Sequence, residues 1–208
     1  MNIIFIDTET TGIDSKSNGI VELAAYLYTD DELAGNFNAA ISMKKQQAAG
    51  IQVSLGALAV NKLSLRIRRS DAVERDFIQQ EEKIVIEEFC DWLLEMKSKV
   101  TGPLYFCGQN VAFDIKFIEA AMARHNLIGL HDIVSYKILD TASLGLFFHD
   151  AGLLGNTDIN VKGSGLQKLA LSLGIDVSNR NLHTATEDAK LCAEVYLKMK
   201  AKVQQLRK

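Results

Sequence analysis

The 208-residue sequence predicts an α/β fold, a three-layer sandwich in which a mixed sheet of about five strands lies between helices. Three observations predict it. Short, all-apolar runs at residues 3–6 and 104–107 read as strands buried on both faces. Residues 20–29 and 35–42, joined through the polar turn Asp30-Asp31-Glu32, read as the rest of an initial antiparallel meander. Amphipathic helical stretches then alternate with further strands, which places helices on both faces of the sheet.

Composition bounds the answer. A chain of 208 residues suffices for one full core, so residues 1–208 are expected to form a single domain. With 48% hydrophobic and 24% charged residues, intrinsic disorder is excluded, and a single proline excludes a Pro-rich linker. Cys90, Cys107 and Cys192 are odd in number, far apart and without a C-x-x-C pair, which argues for reduced thiols in a cytoplasmic protein. The start, MNIIFIDTE, lacks a basic n-region, and no apolar run approaches the ~18–20 residues of a membrane span. The net charge of −3 argues at first sight against a nucleic-acid binder.

The elements follow in order. After the meander, residues 53–63 have helical spacing, and residues 66–82 are charge-dense, a solvated surface segment or a mobile loop. Residues 81–97 form an amphipathic helix with Ile84, Phe89, Trp92, Leu93 and Met96 on or near one face. Pro103 breaks the chain before the strand 104–107. A helix over 111–125 takes Asn110 as its N-cap, and residues 133–139 are read as the last strand. Helical patterns resume over 143–148, 165–173 and 185–203, with a Gly/Asn/Asp-rich loop at 150–163.

Acidic residues stand in apolar positions. Asp7 and Glu9 end the first strand two residues apart, so both side chains leave one face of the sheet. Asp114 falls at helical spacing among Val111, Ile115, Ile118 and Met122, and Asp188 shares a face with Cys192, Val195 and Met199. Each admits a plainer account: a strand end for Asp7 and Glu9, a first helical turn for Asp114, and the capping box Thr184-Ala185-Thr186-Glu187 for Asp188. Four together are better explained by a shared task. A carboxylate on a core-facing stripe costs several kcal/mol unless it is paired or holds a cation. Converging carboxylates suit hard divalent ions, Mg²⁺ or Mn²⁺, and two such ions clamp the attacking and leaving oxygens of a phosphodiester. His183 precedes the last cap and offers a general base, whereas His125, His131 and His149 read as structural or exposed.

These residues together resemble the DnaQ-like 3′→5′ exonucleases, the histidine (DEDDh) subgroup of the ribonuclease H-like superfamily. Asp7-Thr8-Glu9-Thr10-Thr11-Gly12 matches the family's DTETTG. Residues 108–114, GQNVAFD, look like its G-H-N-x-x-F-D, with Gln109 where histidine is common. Residues 183–189, HTATEDA, are similar to its H-x-A-x-x-D-A, and Asp140-Thr141 resembles an Asp-Thr pair often found after the intervening strand. The resemblance implies a ribonuclease H-like sandwich with two metal ions on Asp7, Glu9, Asp114 and Asp188, Asp7 bridging them. It also implies His183 as general base and release of nucleoside 5′-monophosphates. Thr10, Thr11 and Gly12 would touch the 3′-terminal nucleotide. Asn110 and Phe113 would position or stack on the strand, with helix cap and core aromatic as alternatives.

Arg66, Arg68 and Arg69 form one basic cluster, and Lys198, Lys200, Lys202, Arg207 and Lys208 a second; either could track phosphates or be a solvated face. The expected partner is nucleic acid with a 3′ end, preferably single-stranded, and no membrane; a homodimer or a polymerase partner stays open. The chain ends soon after its last helix, where proofreading subunits carry a tether, which favours a free-standing enzyme. A catalytically silent binding module predicts a broken carboxylate set, which is not seen.

Overall fold

The computed structural model describes residues 1–54, 56, 80–127, 129–154 and 165–206. Their five strands form one sheet in the order β3-β2-β1-β4-β5. The strands are β1 (Asn2–Thr10), β2 (Ile20–Thr29), β3 (Glu32–Ala40), β4 (Leu104–Gly108) and β5 (Ile138–Asp140). β1, β2 and β3 pair antiparallel as the predicted meander, while β4 runs parallel to β1, and β5 parallel to β4. The mixed sheet between helical layers is the predicted class.

The helices are α1 (Met43–Ala48), α2 (Glu82–Lys99), α3 (Ala112–Arg124), α4 (Leu130–Ile133), α5 (Thr141–Asp150), α6 (Leu166–Ser172) and α7 (Ala185–Gln205). Strand alternation sorts the layers. Ile4, Ile6, Leu23, Ala25 and Phe106 pack with the buried faces of α2 and α3, including Ile86, Phe89, Ile115 and Ile118. On the other face Ile3, Phe5 and Cys107 meet Cys192 and Ala193 of α7, and Ala24 and Tyr26 meet its Ala185 and Ala189. Phe148, Leu169, Leu191, Val195 and Met199 close a satellite core between α5, α6 and α7.

Several local expectations are corrected. Of the expected stripe on α2, Phe89, Leu93 and Met96 are buried and Trp92 packs against the core, but Ile84 is 42% exposed, and Val85, Ile86 and Cys90 are buried in addition. Glu82 is buried on the same stripe, bound by Arg124 Nε and Nη2 at 2.9 and 2.7 Å and facing His125 Nε2 at 3.0 Å. Asn110 does not cap α3: its φ is +61°, and the residue before the helix is Val111, which makes no side-chain cap bond. Residues 133–139 are not one strand but the end of α4 followed by the three-residue β5. Residues 53 and 54 are not helical, and most of the expected helix at 53–63, the arginine cluster and most of the segment 66–82 lie outside the described residues, as do Arg207, Lys208 and most of the loop 150–163.

Candidate active site

β1 pairs with β4 only as far as Phe5, after which β4 diverges into the loop leading to α3. The last half of β1 therefore lies beyond the β1–β4 pairing, at the carboxyl end of a central strand, where α/β sheets bind ligands. Asp7 and Glu9 project from it on the α7 face, opposite Ala24 and Glu22 of β2. Asp188, in the first turn of α7, joins them: one ligand oxygen from each of Asp7, Glu9 and Asp188 lies within 4.8 Å of the others.

Asp114 approaches from the opposite layer. It is 4% exposed on α3, and its Oδ1 accepts from the Thr8 amide at 2.8 Å and the Thr8 hydroxyl at 2.7 Å. Thr8 points to the α3 face because it alternates with Asp7 and Glu9. The acids thus close around the end of β1 from both sides, although Asp114 stands outside the three-carboxylate group. Burial, then the charges of Asp114, Asp188 and Glu9, hold the Asp7 carboxyl well above the ordinary carboxylate range. Burial pushes Asp114 up to about 7 against the opposing pull of its two bonds from Thr8. Among the described residues this set of carboxylate oxygens fits a hard divalent cation, whose charge would reverse both shifts.

His183 sits just before α7, exposed and left-handed (φ +69°), with its backbone N donating to Asp188 Oδ2 at 3.2 Å. Thr184 is the N-cap: its hydroxyl accepts from Glu187 N at 3.2 Å. The turn after Glu9 is braced from within. Thr10 Oγ1 donates to Gly12 O at 2.6 Å, and Thr11 Oγ1 donates to Gln52 O at 2.7 Å and accepts from Gly19 N at 2.9 Å. Both hydroxyls expected to reach a nucleotide are buried and committed to the turn. A Cβ on Gly12 would meet the Asn18 side-chain amide at 2.2 Å, so a larger residue there would have to displace Asn18. Ile13, just beyond, is 88% exposed at the rim. Phe113 is partly buried and packs on Phe117 at 4.8 Å between ring centroids, which favours the core-aromatic reading.

Sequence reasoning missed Thr8, Glu22 and the reach of Asp140. Asp140 Oδ1 accepts from Asn110 N at 2.7 Å, its Oδ2 accepts from Ser143 Oγ at 2.6 Å, and it caps α5. Thr141 Oγ1 donates to Gln109 Oε1 at 2.7 Å. The Asp-Thr pair thereby holds the loop before α3 in its left-handed bend. An acid alone among the apolar residues of β2 was the available signal for Glu22.

No protein-family model matches the chain. It is similar to the PolC-type DNA polymerase III of Clostridium perfringens, 24% identical over 192 residues that cover 92% of this chain and 11% of the polymerase. It is similar to ribonuclease T of Wigglesworthia glossinidia brevipalpis, 26% identical over 93% of this chain and 81% of the relative. The structure resembles a zinc-bound complex of E. coli exonuclease I with single-stranded DNA at a TM-score of 0.73 and 17% identity, over 99% of this chain and 41% of that one. The chain therefore spans about a tenth of the polymerase's length and about two fifths of exonuclease I. Motif order, sheet order and these likenesses make the chain similar to the DnaQ-like 3′→5′ exonucleases, with the fold of exonuclease I.

Proposed function

We propose that residues 1–208 act as one exonuclease domain that removes nucleotides from the 3′ end of single-stranded nucleic acid, in the cytoplasm and in a metal-dependent way. The observation that carries the reading is the convergence of Asp7, Glu9 and Asp188 from two elements within 4.8 Å. Asp7, Glu9, Asp188 and Asp114 would hold two Mg²⁺ ions, with Mn²⁺ able to replace them. Bound there, such ions supply positive charge to the non-bridging and leaving oxygens of the scissile phosphodiester.

The chain's own groups do the rest. A neutral His183 imidazole takes a proton from water as the water oxygen attacks phosphorus. The bond from phosphorus to the 3′ oxygen breaks, the strand departs with its 3′ hydroxyl, and a nucleoside 5′-monophosphate is released. Thr10, Thr11 and Gly12 hold the shape of the turn, leaving Ile13 as an apolar contact for the terminal base. Asn110 would flank the strand from the α3 side. A second reading, a proofreading subunit bound to a polymerase, is supported by the likeness to the PolC-type polymerase.

The test uses 5′-labelled single-stranded DNA and RNA with Mg²⁺, Mn²⁺ or EDTA. Stepwise 3′ shortening is expected with either metal and none with EDTA. Asp7→Asn is expected to lose on the order of 10²–10³-fold in rate, and His183→Ala on the order of 10²–10⁴-fold. Shortening that persists in EDTA, or no shortening of either polymer, overturns the reading.

A further inference from the structure

The start of α7 carries His183 and Asp188. Besides the packing of Ala185 and Ala189, three polar contacts from β2 and β3 reach it. Glu22 Oε2 accepts from the Ala185 backbone N, the first amide of α7, at 3.2 Å. Asn38 Oδ1 accepts from Thr186 Oγ1 at 3.0 Å and from the Tyr26 hydroxyl at 3.0 Å. Lys190 Nζ lies 5.6 Å from the centre of the Tyr26 ring. Of these, only Glu22 reaches a backbone amide that the Thr184 cap leaves to an outside partner.

The register gives this contact its meaning. Glu22 is the cross-strand partner of Glu9, so the two carboxylates leave the same face of the sheet side by side. One stands in the carboxylate group with Asp7 and Asp188; the other meets the helix that delivers Asp188. Like charges opposite each other disfavour strand pairing, whereas the positive end of α7 favours an acid at this place. Asp188 Oδ2 accepts from His183 N in the same turn, so a displacement of the helix start moves the histidine and the aspartate together.

We propose that Glu22 is a positioning residue: through the Ala185 amide it fixes where α7 begins, and so sets His183 and Asp188 against Asp7 and Glu9. Its kinetic consequence rests on the exonuclease reading above, whereas its structural consequence does not. Glu22→Ala removes the acceptor, and Glu22→Gln keeps one of nearly the same reach without the charge.

Two measurements on the full chain test this. Amide exchange at Ala185 is expected to accelerate about tenfold or more in Glu22→Ala and to stay near the parent in Glu22→Gln. In the oligonucleotide assay, kcat is expected to fall about 10–100-fold in Glu22→Ala with KM within about twofold, and Glu22→Gln to recover to within about threefold of the parent. Parental exchange or parental kcat in Glu22→Ala overturns the proposal, as does a Glu22→Gln variant impaired as fully as Glu22→Ala. If the parent itself shortens no strand, the exonuclease reading falls, and the exchange at Ala185 decides for or against Glu22 on its own.

Discussion

Asp114 shows how one residue links burial, charge and pH. Its folded pKa is pushed up to about 7 from an ordinary 3.8. Between those values the metal-free folded chain retains a proton that the unfolded chain has released, so stability falls as pH rises through that window. Asp7, raised by burial and by its acidic neighbours, acts with the same sign. Asp114→Asn keeps an acceptor for the Thr8 amide and removes the ionisation. In EDTA the variant is expected to melt higher than the parent at pH 8, by a margin that shrinks to nothing near pH 4. Millimolar Mg²⁺ is expected to raise the parent's Tm at pH 8 and to narrow the margin there. Thermal melts across pH check this; a margin independent of pH would refute the assigned ionisation. Helical spacing made Asp114 legible as a buried acid among Val111, Ile115 and Ile118. Its partner Thr8 was not legible, because the two meet across 106 residues of chain and between the sheet and a helix, which no local period encodes.

At the scale of elements, period and polarity carried most of the reading. β2 was bounded at the same residues, since turn signals flank a run that is apolar but for Glu22 and Thr29, and α7 begins where the Thr184 cap predicted. The loop before α3 was misread because Asn110 is a good N-cap by composition. Its actual conformation is set by Asp140, 30 residues on, which takes the Asn110 amide. Gly108 is the other fixed point of this loop. A Cβ there would stand 3.0 Å from the Ile6 carbonyl oxygen and 3.0 Å from Val111 Cγ2, and a backbone atom cannot turn aside as a side chain can. Gly108→Ala is expected to cost about 1–3 kcal/mol and to lower kcat by moving the start of α3, hence Asp114. Denaturant unfolding with the oligonucleotide assay checks both. A variant as stable and active as the parent would show that the loop yields without moving α3.

The whole molecule carries a formal charge of −3, which taken alone speaks against binding a polyanion. The fold changes what that number means, because acids counted in it gather at one end of β1. Two divalent ions on the proposed ligands would bring the formal sum to about +1 and concentrate the gain at the scissile phosphate. The basic residues of α7 do less than their number suggests. Lys200 is bound to both oxygens of Asp31 at 2.6 and 2.7 Å, and Lys190 to Glu187 at 3.4 Å. Affinity for a single strand should then depend on divalent metal before it depends on bulk charge. The measurement is fluorescence anisotropy of a labelled single-stranded oligonucleotide on the His183→Ala variant, which slows turnover while leaving the carboxylates in place. With Mg²⁺ present, Kd is expected to be at least about tenfold tighter than in EDTA at equal ionic strength, a difference of about 1.4 kcal/mol. Equal affinity with and without metal would mean that other cationic groups hold the strand, and would detach binding from the carboxylate site.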